Sequence, residues 1–168
     1  GIVLSYIWLM IFNSFLAHFS KTIVSTQWYA FWGLIIVVCW QQIGYMMIIY
    51  IAGIQNIPGE LIEAAKIDGA NAWQLLKNVT LPMLMPTITI CTFLTLTNGF
   101  KLFDQNFALT GGNPAKMSQL LALNIYDTMY GTTGWQGVGQ AKAVIFFILV
   151  AVIALIQNKL TTSKEVQD

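Results

Sequence analysis

Hydrophobic residues gather in four long blocks, separated by polar stretches and followed by a polar end. The blocks run over about 1–17, 28–54, 79–100 and 139–158. A helix that crosses a bilayer needs about 20 mostly apolar residues at ~1.5 Å rise each. The second block satisfies this best, since it lies in a stretch from Thr22 to Gly59 without a charged residue. The third, Val79 to Phe100, follows a charged loop; the fourth is shorter, and Gly137 to Lys142 can complete it. The first opens at Gly1 in the middle of an apolar run, with neither an initiator Met nor the charged start of a signal peptide. The expectation is an all-α, polytopic membrane protein whose first span is truncated, as a piece of a longer chain.

Composition supports the bilayer as solvent. Of 168 residues, 57% are hydrophobic and 9% charged, against about 25% charged in an ordinary soluble domain. A net charge of +1 suggests neither nucleic acid nor an acidic substrate as partner. Every cationic residue is Lys, which disfavours a bidentate phosphate or carboxylate clamp within this chain. Cys39 and Cys91 both lie in apolar runs and read as small hydrophobes rather than as a disulfide or metal pair.

Aromatic rings fall where membrane interfaces are expected: Trp28, Tyr29 and Trp32 open the second block, Tyr50 nears its end, and Trp73 and Trp135 flank later ones. Lysines do not orient the chain. With four spans, Lys66, Lys77, Lys159 and Lys164 share one side, and Lys21, Lys101, Lys116 and Lys142 the other. Segment 101–136 is polar, with a turn at Thr110-Gly111-Gly112-Asn113-Pro114 and apolar residues at helical spacing over Met117–Tyr130.

The loop over 56–80 carries the most information. Pro58 suits a first helical position. Glu60 and Glu63 then sit near the positive end of a short helix, where an anion gains ~0.3–1 kcal/mol. Ala64 and Ala65 favour helix and allow another surface close approach. Gly69 can take the left-handed conformation that ends a helix. Asn71 can cap a second short helix with Trp73, Leu76 and Val79, before Leu81-Pro82 leads into the next span. The spacing predicts two short helices lying along the membrane surface.

Glu63-Ala64-Ala65, three residues, Gly69, nine residues, Val79, one residue, Leu81-Pro82 resembles the EAA loop of ABC-importer permeases. Asp68 and Ala70 also match, and Val79 stands where the family usually has Ile. Phe100, Phe103, Asp104 and the Thr110–Pro114 turn are similar to the sugar branch, the maltose and glycerol-phosphate type permeases. The resemblance covers essentially the whole chain and implies an ABC type I importer permease core, of which this would be roughly the last four of six spans. It implies that the loop is cytoplasmic and docks in a cleft of a separate ATP-binding subunit dimer, with Glu60, Glu63, Ala64, Ala65, Asp68, Gly69, Leu81 and Pro82 forming the coupling element. Glu63 would meet a basic residue there. Segment 101–136 would be external, the tail 159–168 cytoplasmic, and the membrane the inner membrane of a bacterium or archaeon. ATP and Mg would be used by the partner ATPase, with no cofactor bound by this chain. A second permease subunit, usually a different chain in this branch, and an extracellular sugar-binding protein would complete the assembly.

Polar residues inside spans are costly and therefore informative. Gln41, Gly44 and Tyr45 share one helical face of the second span. Thr92, Thr95 and Asn98 form a stripe on the third, with Phe103 beyond. An amide beside an aromatic ring suits a sugar, so these residues are the expected substrate path. The plain alternative is that the threonines bond their own helix backbone and the amides join helices. A membrane-embedded enzyme would want converging acids, and only Asp104 and Asp127 stand outside the loop and tail. An ion-coupled carrier would want an ionisable group deep in a span, where Lys142 sits only near an end. A structural scaffold would leave the loop spacing unexplained.

Overall fold

The computed structural model describes residues 1–163, and all of its regular structure is helical. The helices are α1 (Ile2–Ala17), α2 (Gln27–Gln55), α3 (Gly59–Ile67), α4 (Ala72–Leu75), α5 (Leu81–Met83), α6 (Met85–Phe100), α7 (Asp104–Leu109), α8 (Leu121–Tyr130) and α9 (Gln136–Thr162), with a π-helical turn over Leu76–Thr80 between α4 and α5. In hydrocarbon every backbone N–H and C=O must find its partner within the segment, and a helix achieves this alone.

Two helices, α2 with 29 residues and α9 with 27, are long and apolar enough to cross a membrane. At ~1.5 Å per residue, α2 extends about 44 Å, more than the ~30 Å hydrocarbon core needs. Between 79 and 100 the helix is not continuous: it breaks at Leu84, and the segments on either side are bent by 66°. Pro86 lacks the backbone N–H that would bond the Pro82 carbonyl across Leu84, and Pro82 lacks its own, so the helix is weakened at this point. Residues 79–83 therefore run with α4, and the apolar helix beyond the break is the 16-residue α6. At the chain's end, α9 continues through Lys159 to Thr162, so the expected tail begins as helix; residues 164–168 lie outside the described residues. The helix foreseen over Met117–Tyr130 starts only at Leu121, because Met117–Leu120 belongs to the preceding turn.

The chain divides into two compact units, one of Gly1–Gln42 and Asn98–Val150, the other of Ile43–Thr97 and the residues from Ala151. In the first, Ile23, Leu34, Val37 and Leu109 form a buried core, against which Trp8, Leu9, Phe12, Leu16 and Val24 pack. Asn13 Oδ1 accepts the Ile23 amide at 2.9 Å and so fixes the α1–α2 connector onto this core. In the second unit Gly53 of α2 faces Thr87 of α6, where an added Cβ would collide with the threonine side chain.

Segment 101–136 is tied by side-chain amides. Asn106 is fully buried. Its Nδ2 donates to Thr110 Oγ1 at 2.9 Å and to the Ser118 carbonyl at 2.8 Å, while Oδ1 accepts the Leu120 amide at 2.8 Å. One side chain thereby holds both ends of the Gly-rich turn and sets the start of α8. Lys142 of α9 donates to Asn124 Oδ1 and Thr128 Oγ1 of α8, both at 2.8 Å, and Asn124 in turn donates to Gln119. These bonds satisfy the half-buried ammonium. On α9, Val144, Ile145, Phe147, Ile148, Val152 and Leu155 are exposed, as expected of a helix in lipid.

Asn106→Ala removes all three of these bonds and leaves the Leu120 amide without its acceptor. We expect a loss of about 1–3 kcal/mol, seen as a lower unfolding midpoint and faster proteolysis between residues 110 and 120. Unchanged values of both would contradict the role assigned to Asn106.

Candidate functional site

The segment between α2 and α6 is built by two helix-end devices placed back to back. Pro58 is the N-cap of α3 rather than its first residue, with ψ at 127°, so Gly59 opens the helix. This differs from the expected placement by one position and leaves Glu60 in the first turn. At the other end, the Gly69 amide donates to the Lys66 carbonyl and the Ala70 amide to the Ala65 carbonyl, both at 3.0 Å. That pair of bonds is a Schellman motif, and Gly69 carries the left-handed residue it requires, at φ 78°.

The second device follows one residue later. Asn71 Oδ1 accepts the Gln74 amide at 2.9 Å, and Gln74 Oε1 accepts the Asn71 amide at 2.8 Å. This is a reciprocal capping box, and it satisfies two amides that would otherwise lack partners. The chain turns from α3 to α4 across Asp68–Asn71 with its backbone bonded on both sides. From α4 the chain passes into the π turn, which frequently marks a functional position in a helix, and then into α5 and the bend at Leu84.

Glu60, Glu63, Ala64, Asp68 and Gly69 are exposed on this elbow, and Ala65 is half-buried. Leu81 is exposed and Pro82 half-buried on α5. Ile67 and Trp73 present large apolar side chains, 86% and 69% exposed. Between α3 and α4 lies a hollow of about 330 Å³ lined by Ala65, Asp68, Gly69, Gln74, Asn78 and Val79. The elbow thus offers an acidic and small-residue surface, two unburied apolar groups and a polar concavity. Gln74 and Asn78 join it from positions that the spacing of the motif does not include.

The polar stripes distribute differently. Gln41 Oε1 accepts from Gln105 Nε2 at 2.8 Å, so its amide joins α2 to α7, as the plain alternative for such residues holds. Gly44 has open space where a Cβ would stand, and Tyr45 is 56% exposed. Thr92 and Thr95 line a hollow of about 300 Å³ with Met46, Tyr50, Cys91 and Leu96. Thr89 and Thr97 instead bond the backbone of their own helix, to the Met85 and Phe93 carbonyls at 2.9 and 2.8 Å. Asn98 is half-buried near the end of α6. Phe103 stacks on Phe107 at 5.6 Å and 14°, and meets Tyr126 at 5.0 Å. Gln41, Asn98 and Phe103 belong to the first unit and Gly44, Tyr45, Thr92 and Thr95 to the second. Among the described residues no group of three or more His, Cys, Asp or Glu could hold a metal ion.

The model of the family described as binding-protein-dependent transport system inner membrane component matches residues 1–164. The chain belongs to this family. It is a multi-pass membrane protein. Among similar proteins, the "probable starch degradation products transport system permease protein AmyD" of Thermoanaerobacterium thermosulfurigenes is 48% identical over 175 residues, covering 99% of this chain and 60% of that protein. The multiple sugar-binding transport system permease protein MsmF of Streptococcus mutans is 38% identical over 79% of this chain and 45% of its own length. The trehalose/maltose transport system permease protein MalF of Thermococcus litoralis is 34% identical over 77% of this chain and 43% of its own. The chain thus spans about half the length of the curated relatives it matches.

The elbow makes a graded test possible. No atom lies within 4 Å of the place a Cβ would take at Gly69, so only the backbone conformation resists substitution. Gly69→Val should destabilise the turn by about 1–2 kcal/mol or more, while Asn, which tolerates the left-handed region, should cost less. Unfolding midpoints of the two variants in the assembled protein check the order; equal midpoints would contradict it.

Proposed function

We propose that this chain is part of the membrane pathway of an ATP-driven importer for a sugar or oligosaccharide, and that it is a transport subunit rather than an enzyme. Family membership supports the transport role, and three relatives whose names refer to starch products, multiple sugars or trehalose and maltose support the substrate class. The observation that carries the coupling mechanism is the doubly capped elbow. A turn bonded on both sides moves as one piece, and a rigid piece can pass a displacement on instead of absorbing it.

In this reading the elbow lies on the cytoplasmic side, and a separate ATP-binding dimer receives it. Glu63 meets a basic group of that partner, and Ala64 and Ala65 keep the approach close. Glu60, Asp68 and Gly69 complete the docking face, with Leu81 and Pro82 at its junction with the membrane. Closure of the ATPase on ATP and Mg displaces the elbow. The displacement reaches α6 through the bend at Leu84 and α2 through Pro58. Segment 101–136 then faces the outside, where a sugar-binding protein delivers its load, and a second permease subunit supplies the rest of the passage. Residues Gln41, Gly44, Tyr45, Thr92, Thr95, Asn98 and Phe103 remain the proposed path, with Tyr50 and Cys91 added beside the two threonines.

Glu63→Lys reverses the charge at the proposed docking point without touching the caps. In the full-length chain assembled with its partners, we expect uptake to fall at least tenfold and stimulated ATP hydrolysis to fall with it. Normal uptake and normal stimulation would remove Glu63 from the coupling surface.

A further inference from the structure

Segment 101–136 carries a run of aromatic rings that the hydrogen bonds of its turn do not use. Phe103 and Phe107 lie nearly parallel at 5.6 Å. Tyr126 contacts Phe103 at 5.0 Å and Phe107 at 6.3 Å, and Tyr130 continues the series at 5.0 Å from Tyr126. Phe103, the N-cap of α7, and Phe107 are four residues apart, as are Tyr126 and Tyr130 on α8, so each pair presents its rings on a single helical face. Exposure rises along the run: Phe107 and Tyr126 are each 42% exposed, and Tyr130 is 72% exposed. The first ring is thus partly covered and the last stands open.

We propose that Phe103, Phe107, Tyr126 and Tyr130 form a stacking surface along which a saccharide passes. The proposal rests on the sugar-import reading above and extends it to three rings outside the path assigned there. A pyranose ring has a face of C–H groups with partial positive charge. The negative face of an aromatic ring complements it, and the same contact removes apolar area from water. The two tyrosine hydroxyls add donors and acceptors for sugar hydroxyls. Such a surface guides a chain of sugar units without holding any one tightly, which suits a passage.

Gln105 is no part of the ring surface, since it lies two residues from Phe103 on α7 and bonds Gln41.

The test uses the full-length chain assembled with its partners in nanodiscs and proteoliposomes. Uptake is first measured for a panel of gluco- and other oligosaccharides of different lengths; if the unaltered assembly moves none of them, the sugar-import reading fails, and this proposal with it. With a transported sugar in hand, Tyr130→Trp supplies a fluorescent ring at the open end. We expect its emission to be quenched or shifted by that sugar, added without the binding protein, and not by mannitol. Phe103→Leu in the same background should weaken the response at least threefold. Tyr130→Leu should slow uptake at least threefold at saturating binding protein, whereas Tyr130→Phe, which keeps the ring, should stay within twofold of the unaltered assembly. A silent tryptophan, or equal uptake by the Leu and Phe variants, would overturn the proposal. Loss of affinity for the loaded binding protein with an unchanged sugar response would also overturn it, and would make the rings a protein-docking face.

Discussion

The bilayer's refusal of unpaired backbone groups governs this chain. Each N–H and C=O in hydrocarbon must be bonded within its own segment, which leaves the helix as the available form. α2 and α9 meet that demand without interruption. Where the backbone departs from the helix on the exposed elbow between α3 and α4, water could meet its polar groups, yet the chain also bonds them internally. The chain does this with a Schellman motif on one side and a capping box on the other, separated by a single residue boundary. The result is a polar turn that is irregular in path but not loose.

Stiffness and compliance are then laid out in order. The α3–α4 turn is stiff because its ends are closed by hydrogen bonds. The next residues break the regular helix: a π turn over Leu76–Thr80, prolines at 82 and 86 and a 66° bend at Leu84. A rigid handle joined to a membrane helix through a bend can convert a sideways push into a tilt. A floppy handle would dissipate it.

Much of this was legible in the residues. The apolar blocks, Gly69 as a helix terminator and Asn71 as a cap follow from local chemistry, because each depends on neighbours within a few positions. The break at Leu84 is harder to read, since Val79–Phe100 is mostly apolar and the pattern does not say whether the segment is straight. Pro82 and Pro86 are the available signals: Pro82 reads as the entry to a span, and Pro86, four residues on, marks the bend between them. Pro58 stands one position earlier than its chemistry predicts, because N-cap and first-turn prolines differ in ψ, which sequence does not display. The partners of Gln41 and Asn106 lie too far along the chain for spacing to reveal. Gln41 finds Gln105, 64 residues away. The ring run on α7 and α8 was hidden likewise, with only Phe103 singled out, although the four-residue spacing of Tyr126 and Tyr130 hinted at a shared face.

The central claim is that the elbow is a handle gripped by a nucleotide-driven partner. The most direct measurement places a photo-crosslinker at Ala64 in the assembled transporter and follows which chain is captured with and without ATP. The account predicts capture of the ATP-binding subunit, in a yield that changes when nucleotide binds. Capture of an external sugar-binding protein, or labelling of the same position by an impermeant reagent from outside intact cells, would contradict it.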